Sequence, residues 1–296
     1  MEQDKEKRVT TTNINWYPGH MAKAKREITE ILPLVDIVLE LRDARIPSSS
    51  KNPMIDDILK NKPRLILLNK ATLADEKETK LWIENLTKDN TYALDIDSIS
   101  GYNMKQIQPF IKKILKDKLE AWAKKGLVNK SLRALVVGIP NVGKSTFINY
   151  MAKKKVAKTG DKPGVTKSQS WLKISDSLQF LDTPGILWPK FESQEVGINL
   201  SICGSIKDEI VDLQLVALHA LNIIERKYPD LLLKRYGIST FDFEDDTDGM
   251  KVATAIAIKR GCLLKGNQFD YERVFTLVMN DIRSNRIGAM TFESIK

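Results

Sequence analysis

The eight residues "GIPNVGKS" at 138–145 constrain this chain more than any other stretch. They follow the apolar run "RALVV" and lead into "STFINYMA", so strand, loop and helix come in the order a phosphate-binding loop needs. In such a loop the glycines let backbone N–H groups converge on phosphate oxygens at a helix N-terminus. Lys144 reaches the β and γ oxygens, and Ser145 supplies a hydroxyl to Mg2+. The residues nearest the nucleotide are then Asn141, Val142, Gly143, Lys144, Ser145 and Thr146. The loop also implies its surroundings, because its strand belongs in a parallel sheet and its helix packs on a sheet face.

The flanking sequence agrees. Apolar runs alternate with helical patterns between residues 15 and 201, with strands expected at 36–43, 64–69, 91–97, 133–139, 168–174 and 178–182. Helices are expected at 75–87 and 103–125. From about residue 205 the pattern turns wholly helical. One helix stops at Pro229, one is closed by Gly261, and one runs from an Asp cap to Gly288, with the acidic loop "FDFEDDTDG" between the first and second. The expected organisation is a polar tail over 1–14, an α/β domain over 15–204 and a small all-helical domain over 205–296. The mixed-charge start "MEQDKEKRVTTTN" reads as neither a signal nor a transit peptide, and no run is long enough to span a bilayer.

"LQFLDTPG" places Asp182 at a strand end, where a carboxylate can hold Mg2+ through water, and Gly185 where a backbone N–H can meet a γ-phosphate. "KPGVTKS" offers the hydroxyl of Thr166 to the same metal. One motif is out of order. "LLNKAT" ends a strand with Asn69 and Lys70, nearly the Asn-Lys-x-Asp that grips guanine, but it lies upstream of the phosphate loop and carries Thr72 in place of Asp. A parallel sheet tolerates a different cut in its chain. If the original ends were joined and the chain reopened, "NKAT" and then "DIDSIS", with Ser98 near the base, precede the phosphate loop in sequence and lie beside it in space. The fold class is therefore α/β, a circularly permuted P-loop GTPase domain of motif order 4-5-1-2-3, followed by a small all-helical domain.

Charge adds a partner class. The net charge is +9, and between Lys105 and Lys173 there are 17 Lys/Arg against three acids. A basic block of that kind suits a polyanion, with nucleic acid first among candidates. Cys203 and Cys262 have no partners at metal-ligand spacing and read as buried free thiols of a reducing, cytoplasmic compartment.

Together "INWYPGHMAKAKREI", "VLELRDARIPSSSKNP", "GIPNVGKSTFIN", "GVTKS", "FLDTPGILWPK" and the closing "DYERVFTLVMNDIRSNRIGAMTFE" resemble the circularly permuted ribosome-assembly GTPases, within them the ribosome biogenesis GTPase A group. The resemblance implies a GTPase that uses GTP and Mg2+ late in assembly of the large ribosomal subunit. Its partner would be the subunit precursor, with its rRNA and ribosomal proteins; no membrane is involved, and the chain is read as a monomer. By motif, Asn69, Lys70 and Ser98 contact the base, and Thr166 and Asp182 serve the metal. Ile186 and Leu187 follow the Mg2+ loop where many GTPases place a water-positioning Gln. The imidazole of His20 in "WYPGHM" is the candidate to orient that water, turnover being slow without a ribosomal activator; His219 reads as a core residue. Asn141 resembles its counterpart in GTPases that use K+. Thr72 departs from the group. An Asp there accepts from guanine N1–H and the 2-amino group, so Thr72 implies weaker selectivity; Thr72→Asp is expected to sharpen it, and Asp75 is the candidate substitute. The alternatives are an RNA-binding scaffold with a structural nucleotide and a broad-specificity NTPase.

Overall fold

The computed structural model describes residues 26–59, 62–127, 130–155, 171–182, 193–239 and 249–295. Six strands form one sheet: β1 (Ile37–Asp43), β2 (Arg64–Asn69), β3 (Thr91–Asp95), β4 (Leu132–Gly138), β5 (Trp171–Ser175) and β6 (Leu178–Asp182). Their spatial order is β3-β2-β1-β4-β6-β5, parallel throughout except for the β5–β6 pair. The sequence stays apolar along β1, β2 and β4 because these strands are covered on both faces. Ile37, Leu39, Leu41, Leu65, Leu67, Ala134 and Val136 join one cluster. Their alternates Val38, Leu135 and Val137, and Ile66 and Leu68, join two others. Glu40 is buried in β1 by pairing with Arg42 at 2.8 Å and Arg64 at 3.1 Å.

Helices α1 (Pro53–Leu59), α2 (Glu76–Leu86), α3 (Ile107–Ile114), α4 (Lys116–Lys124) and α5 (Lys144–Ala152) accompany the sheet. The single helix expected over 103–125 is instead a 3-10 turn at Met104–Gln106 followed by α3 and α4, which break at Leu115, where ψ is +21°. The parallel register brings Asp43 opposite Asn69, Leu41 opposite Gly138, Leu68 opposite Asp95 and Val136 opposite Asp182. The carboxyl ends of the five parallel strands thus share one edge, where α/β sheets place their ligands.

The helical layer comprises α6 (Gln194–Ile202), α7 (Leu213–Lys227), α8 (Pro229–Tyr236), α9 (Gly249–Arg260) and α10 (Tyr271–Arg283). It begins ahead of residue 205, at Ser193, whose hydroxyl caps α6 through Val196 N. Pro229 ends α7 by opening α8, and Gly261 at φ +61° follows α9, as the sequence implies. α10 starts at its Asp270 cap but stops at Arg283, short of Gly288. Asn285 takes the left-handed position at φ +57°, and Arg286 N donates to Asp281 O at 2.8 Å, which closes the helix without a glycine. The loop 240–248 lies outside the described residues.

One hydrophobic cluster runs from Ile37 in β1 to Val216, Val252, Val278 and Phe292, so sheet and helices share a core. The chain then returns to the sheet. Met290 N donates to Leu73 O at 3.0 Å and Phe292 N to Arg45 O at 2.9 Å. Cys203 and Cys262 are buried free thiols. Among the described residues no helix is long and apolar enough to cross a membrane.

Candidate nucleotide site

β4 runs into the loop at Gly138, where an added Cβ would lie 2.8 Å from the carbonyl oxygen of Leu41 on the neighbouring strand. Lys144, the first residue of α5, folds back so that its Nζ donates to the carbonyls of Gly138 at 3.1 Å and Ile139 at 3.2 Å. The loop is thereby curled around its own cation. Val142 is buried, Ser145 and Thr146 are half-buried in the first turn of α5, and Asn141 is exposed at φ +58°.

The displaced motif meets this loop directly. Asn69 ends β2, is 2% exposed, and its Nδ2 donates to Val142 O at 2.8 Å. Its Oδ1 accepts from Ser98 N at 3.0 Å and Ser98 Oγ at 2.9 Å. One carboxamide therefore joins three loops. At Gly143, where φ is +100°, an added Cβ would run into that Asn69 amide, so only glycine lets the two loops close. Lys70, in the left-handed region at φ +62°, donates to Asn141 O at 3.0 Å and pairs with Asp43 at 2.9 Å. Asp43 also takes a two-pronged contact from Arg45 at 2.9 and 2.8 Å. Burial alone would raise the Asp43 carboxyl, but Arg45 and Lys70 outweigh it and hold the group far below the usual carboxylate range.

Thr72 is exposed and its hydroxyl donates to Asp97. The other oxygen of Asp97 accepts from Ile99 N at 2.8 Å and Ser100 N at 3.0 Å. Asp75 is no substitute for the missing carboxylate. It caps α2, its Oδ1 accepting from Lys77 N at 2.8 Å and Glu78 N at 3.1 Å, as its position just ahead of a helix requires. The phosphate loop also touches the turn after α6, where Asn141 Nδ2 donates to Gly204 O at 3.2 Å. His219 is partly buried in α7, and burial lowers its pKa.

Asp182 closes β6 at the same edge of the sheet. His20, Thr166, Gly185, Ile186 and Leu187 lie outside the described residues. Among the described residues no three His, Cys, Asp or Glu side chains cluster as a metal cage. Mg2+ on a nucleotide needs none, since phosphates and water fill most of its shell, and a hydroxyl such as that of Ser145 would serve as a further ligand. Two residues of this site, Asp43 and Asp97, were not singled out from the sequence. Each is an acid at the end of a strand or just past it, a weak signal until its cross-loop partners are known.

The MMR_HSR1 family, described as a 50S ribosome-binding GTPase, matches residues 133–237. The match starts with β4 and leaves out β1, β2 and β3, the strands that precede the phosphate loop in this permuted order. Ribosome biogenesis GTPase A of Bacillus licheniformis is 51% identical over 280 residues, 95% of this chain and 98% of the relative. Its counterpart in Thermotoga maritima is 34% identical over 283 residues, 95% and 94% of the two chains. The solved structure of GNP-bound YlqF from T. maritima is 30% identical, covers 92% of this chain and 98% of that one, and superimposes with a TM-score of 0.60.

Proposed function

The chain belongs to the ribosome biogenesis GTPase A family, and on that premise we propose how its residues carry the activity. It is a GTPase of ribosome assembly with a guanine nucleotide as substrate and a ribosomal particle as partner. In the finer reading it acts late on the large-subunit precursor, as a cytoplasmic monomer that turns over slowly until the particle engages it. The observation that carries the site reading is the Asn69 carboxamide, which joins the phosphate loop to both base loops.

Triphosphate lies across the N-terminus of α5, where Lys144 exchanges the Gly138 and Ile139 carbonyls for β and γ oxygens. Ser145 and Thr166 hydroxyls and, through water, Asp182 would hold Mg2+, which when bound neutralises charge on the phosphate oxygens. Asn141 uses its amide N–H on Gly204 and keeps its carboxamide oxygen as a ligand for K+. Lys70 and Ser98 flank the base. Hydrolysis is attack of water on the γ-phosphorus with GDP leaving. Ile186 and Leu187 cannot position that water, so the role goes to His20, with the Gly185 N–H on the γ-phosphate.

RNA contact falls to the helical residues 205–296 together with the basic face of α3 and α4. On that face Lys118 and Lys130 lie 5.4 and 4.5 Å from the ring centre of Trp122. The test is GTP hydrolysis by the full chain with and without large-subunit precursor, in K+ and Na+ buffers, for wild type and His20→Ala. Stimulation by the particle in K+, lost in His20→Ala while GDP binding persists, supports the reading. A variant that turns over like wild type removes His20 from the mechanism, and a particle that stimulates neither leaves the scaffold alternative in possession.

A further inference from the structure

Guanine is told from adenine at its N1–H and 2-amino edge, which needs acceptors, and at the position that would supply an Asp carboxylate there this chain has Thr72. Behind Thr72 the structure places a carboxylate from the other base loop. Asp97 is 5% exposed, while Thr72 stands in front of it at the surface. The Thr72 hydroxyl gives its one proton to Asp97, so its lone pairs are left to accept from a ligand. Asp97 cannot swing away, because its second oxygen is fixed by the N–H groups of Ile99 and Ser100. The next residue, Ser98, is bonded to Asn69 and so to the phosphate loop.

We infer that Thr72 and Asp97 act as one guanine-reading unit, in which Asp97 is the positioning residue that supplies the negative charge and Thr72 the oxygen that meets the base. This rests on the reading of the two loops as base-binding. It reverses the expectation that Thr72→Asp sharpens selectivity. A carboxylate introduced at 72 meets the one at 97 within hydrogen-bond reach, and two carboxylates so placed cannot both ionise without repulsion. Asp97→Asn keeps the acceptor for Ile99 N and Ser100 N but removes the charge and adds a donor facing Thr72.

The experiment is equilibrium binding of GDP, IDP, XDP and ADP to the full chain as wild type, Asp97→Asn, Thr72→Asp and the double variant, with thermal melts as a folding control. IDP lacks the 2-amino group, and XDP carries oxygen in its place. Asp97→Asn is expected to lose about tenfold of the GDP-to-ADP preference, the size of one charge-assisted bond, and to gain on XDP. Thr72→Asp alone gains nothing, and the double variant recovers at least the wild-type preference. A merely structural Asp97 would lower all four affinities alike and leave XDP no better, which overturns the inference. So does a Thr72→Asp variant that sharpens selectivity alone and is unaffected by the second change. A wild type that binds GDP and ADP equally overturns the base-loop reading itself.

Discussion

Asp43 shows how much one side chain carries here. It is fully buried between Arg45 and Lys70, and Lys70 in turn holds the phosphate loop at Asn141. Asp43→Asn strands a buried guanidinium, so stability measured by urea unfolding should fall by about 3–5 kcal/mol. A change under about 1 kcal/mol would mean that Arg45 finds another partner or water. Because the folded carboxyl sits below its unfolded value, its contribution is complete above about pH 4 and is lost only as pH falls further, toward the folded value. Gly143 is the second such residue. Gly143→Ala places a methyl group on the Asn69 amide at a left-handed φ, strain of about 1–2 kcal/mol, and should weaken GDP binding far more than it lowers the melting temperature. Nucleotide affinity equal to wild type would show that the loops need not touch. Both Lys144 and Asn69 were legible in the sequence because their spacing to a strand end is local. Asp97 was not, since its hydrogen-bond partner Thr72 lies in the 3-10 turn after a different strand.

The element that most changes the picture is the C-terminal segment 290–295. It leaves the helical layer and hydrogen-bonds the loops that follow β2 and β1 through Leu73 and Arg45. Glu293 accepts from Ser48 N and from Ser49 N at 2.9 Å, and from Asn199 Nδ2 at 3.2 Å. Thr291 takes Asp75 N at 3.2 Å. Removing Met290 onward should speed amide exchange over residues 70–75 and lower GDP affinity; unchanged exchange there would make the segment a passive tail. Burial pushes the Glu293 carboxyl above its ordinary 4.5, only partly offset by the serine donors. With a folded pKa raised over the unfolded one, its contribution is complete below that ordinary value and declines as pH rises through the folded value. Glu293→Gln should therefore flatten the stability profile just above pH 4.5, read by melting temperature across that range. Strand positions were readable because covered parallel strands are continuously apolar. The break at Leu115 was not, because the residues on either side keep one helical pattern.

At the scale of the whole molecule, sheet and helices meet around the turn after α6. Gly204 O accepts from Asn141, Cys203 O accepts from Arg45 at 3.4 Å, and Arg283 of α10 donates to the carbonyls of Ser201 at 2.7 Å and Ile202 at 3.2 Å. The phosphate loop thus touches the turn between α6 and α7, which Arg283 ties to α10, and this chain of contacts is the expected route from nucleotide to helical layer. Interprobe distances between residues of α4 and α9, measured by energy transfer, should differ between GDP and a nonhydrolysable GTP analogue. Equal distances in both states, free and particle-bound, would sink that coupling. The basic face of α3 and α4 makes a separate prediction, that particle affinity falls steeply with salt and that charge removal at Lys112, Lys113 and Lys116 reduces the slope. What the sequence alone determined was the set of parts: a phosphate loop between a strand and a helix, the earlier strands in permuted order, a helical C-terminal region and a basic middle. Each rests on spacing or periodicity within a few residues, which local backbone chemistry dictates. Tertiary structure alone decided which polar groups complete one another: the Asn69 amide with the Val142 carbonyl, the Thr72 hydroxyl with Asp97, and Glu293 with the backbone N–H groups of Ser48 and Ser49. Those pairs are set by sheet register and by where the last segment lands. A polar side chain brought into such a buried site takes whatever donor or acceptor the fold presents, at any distance along the chain.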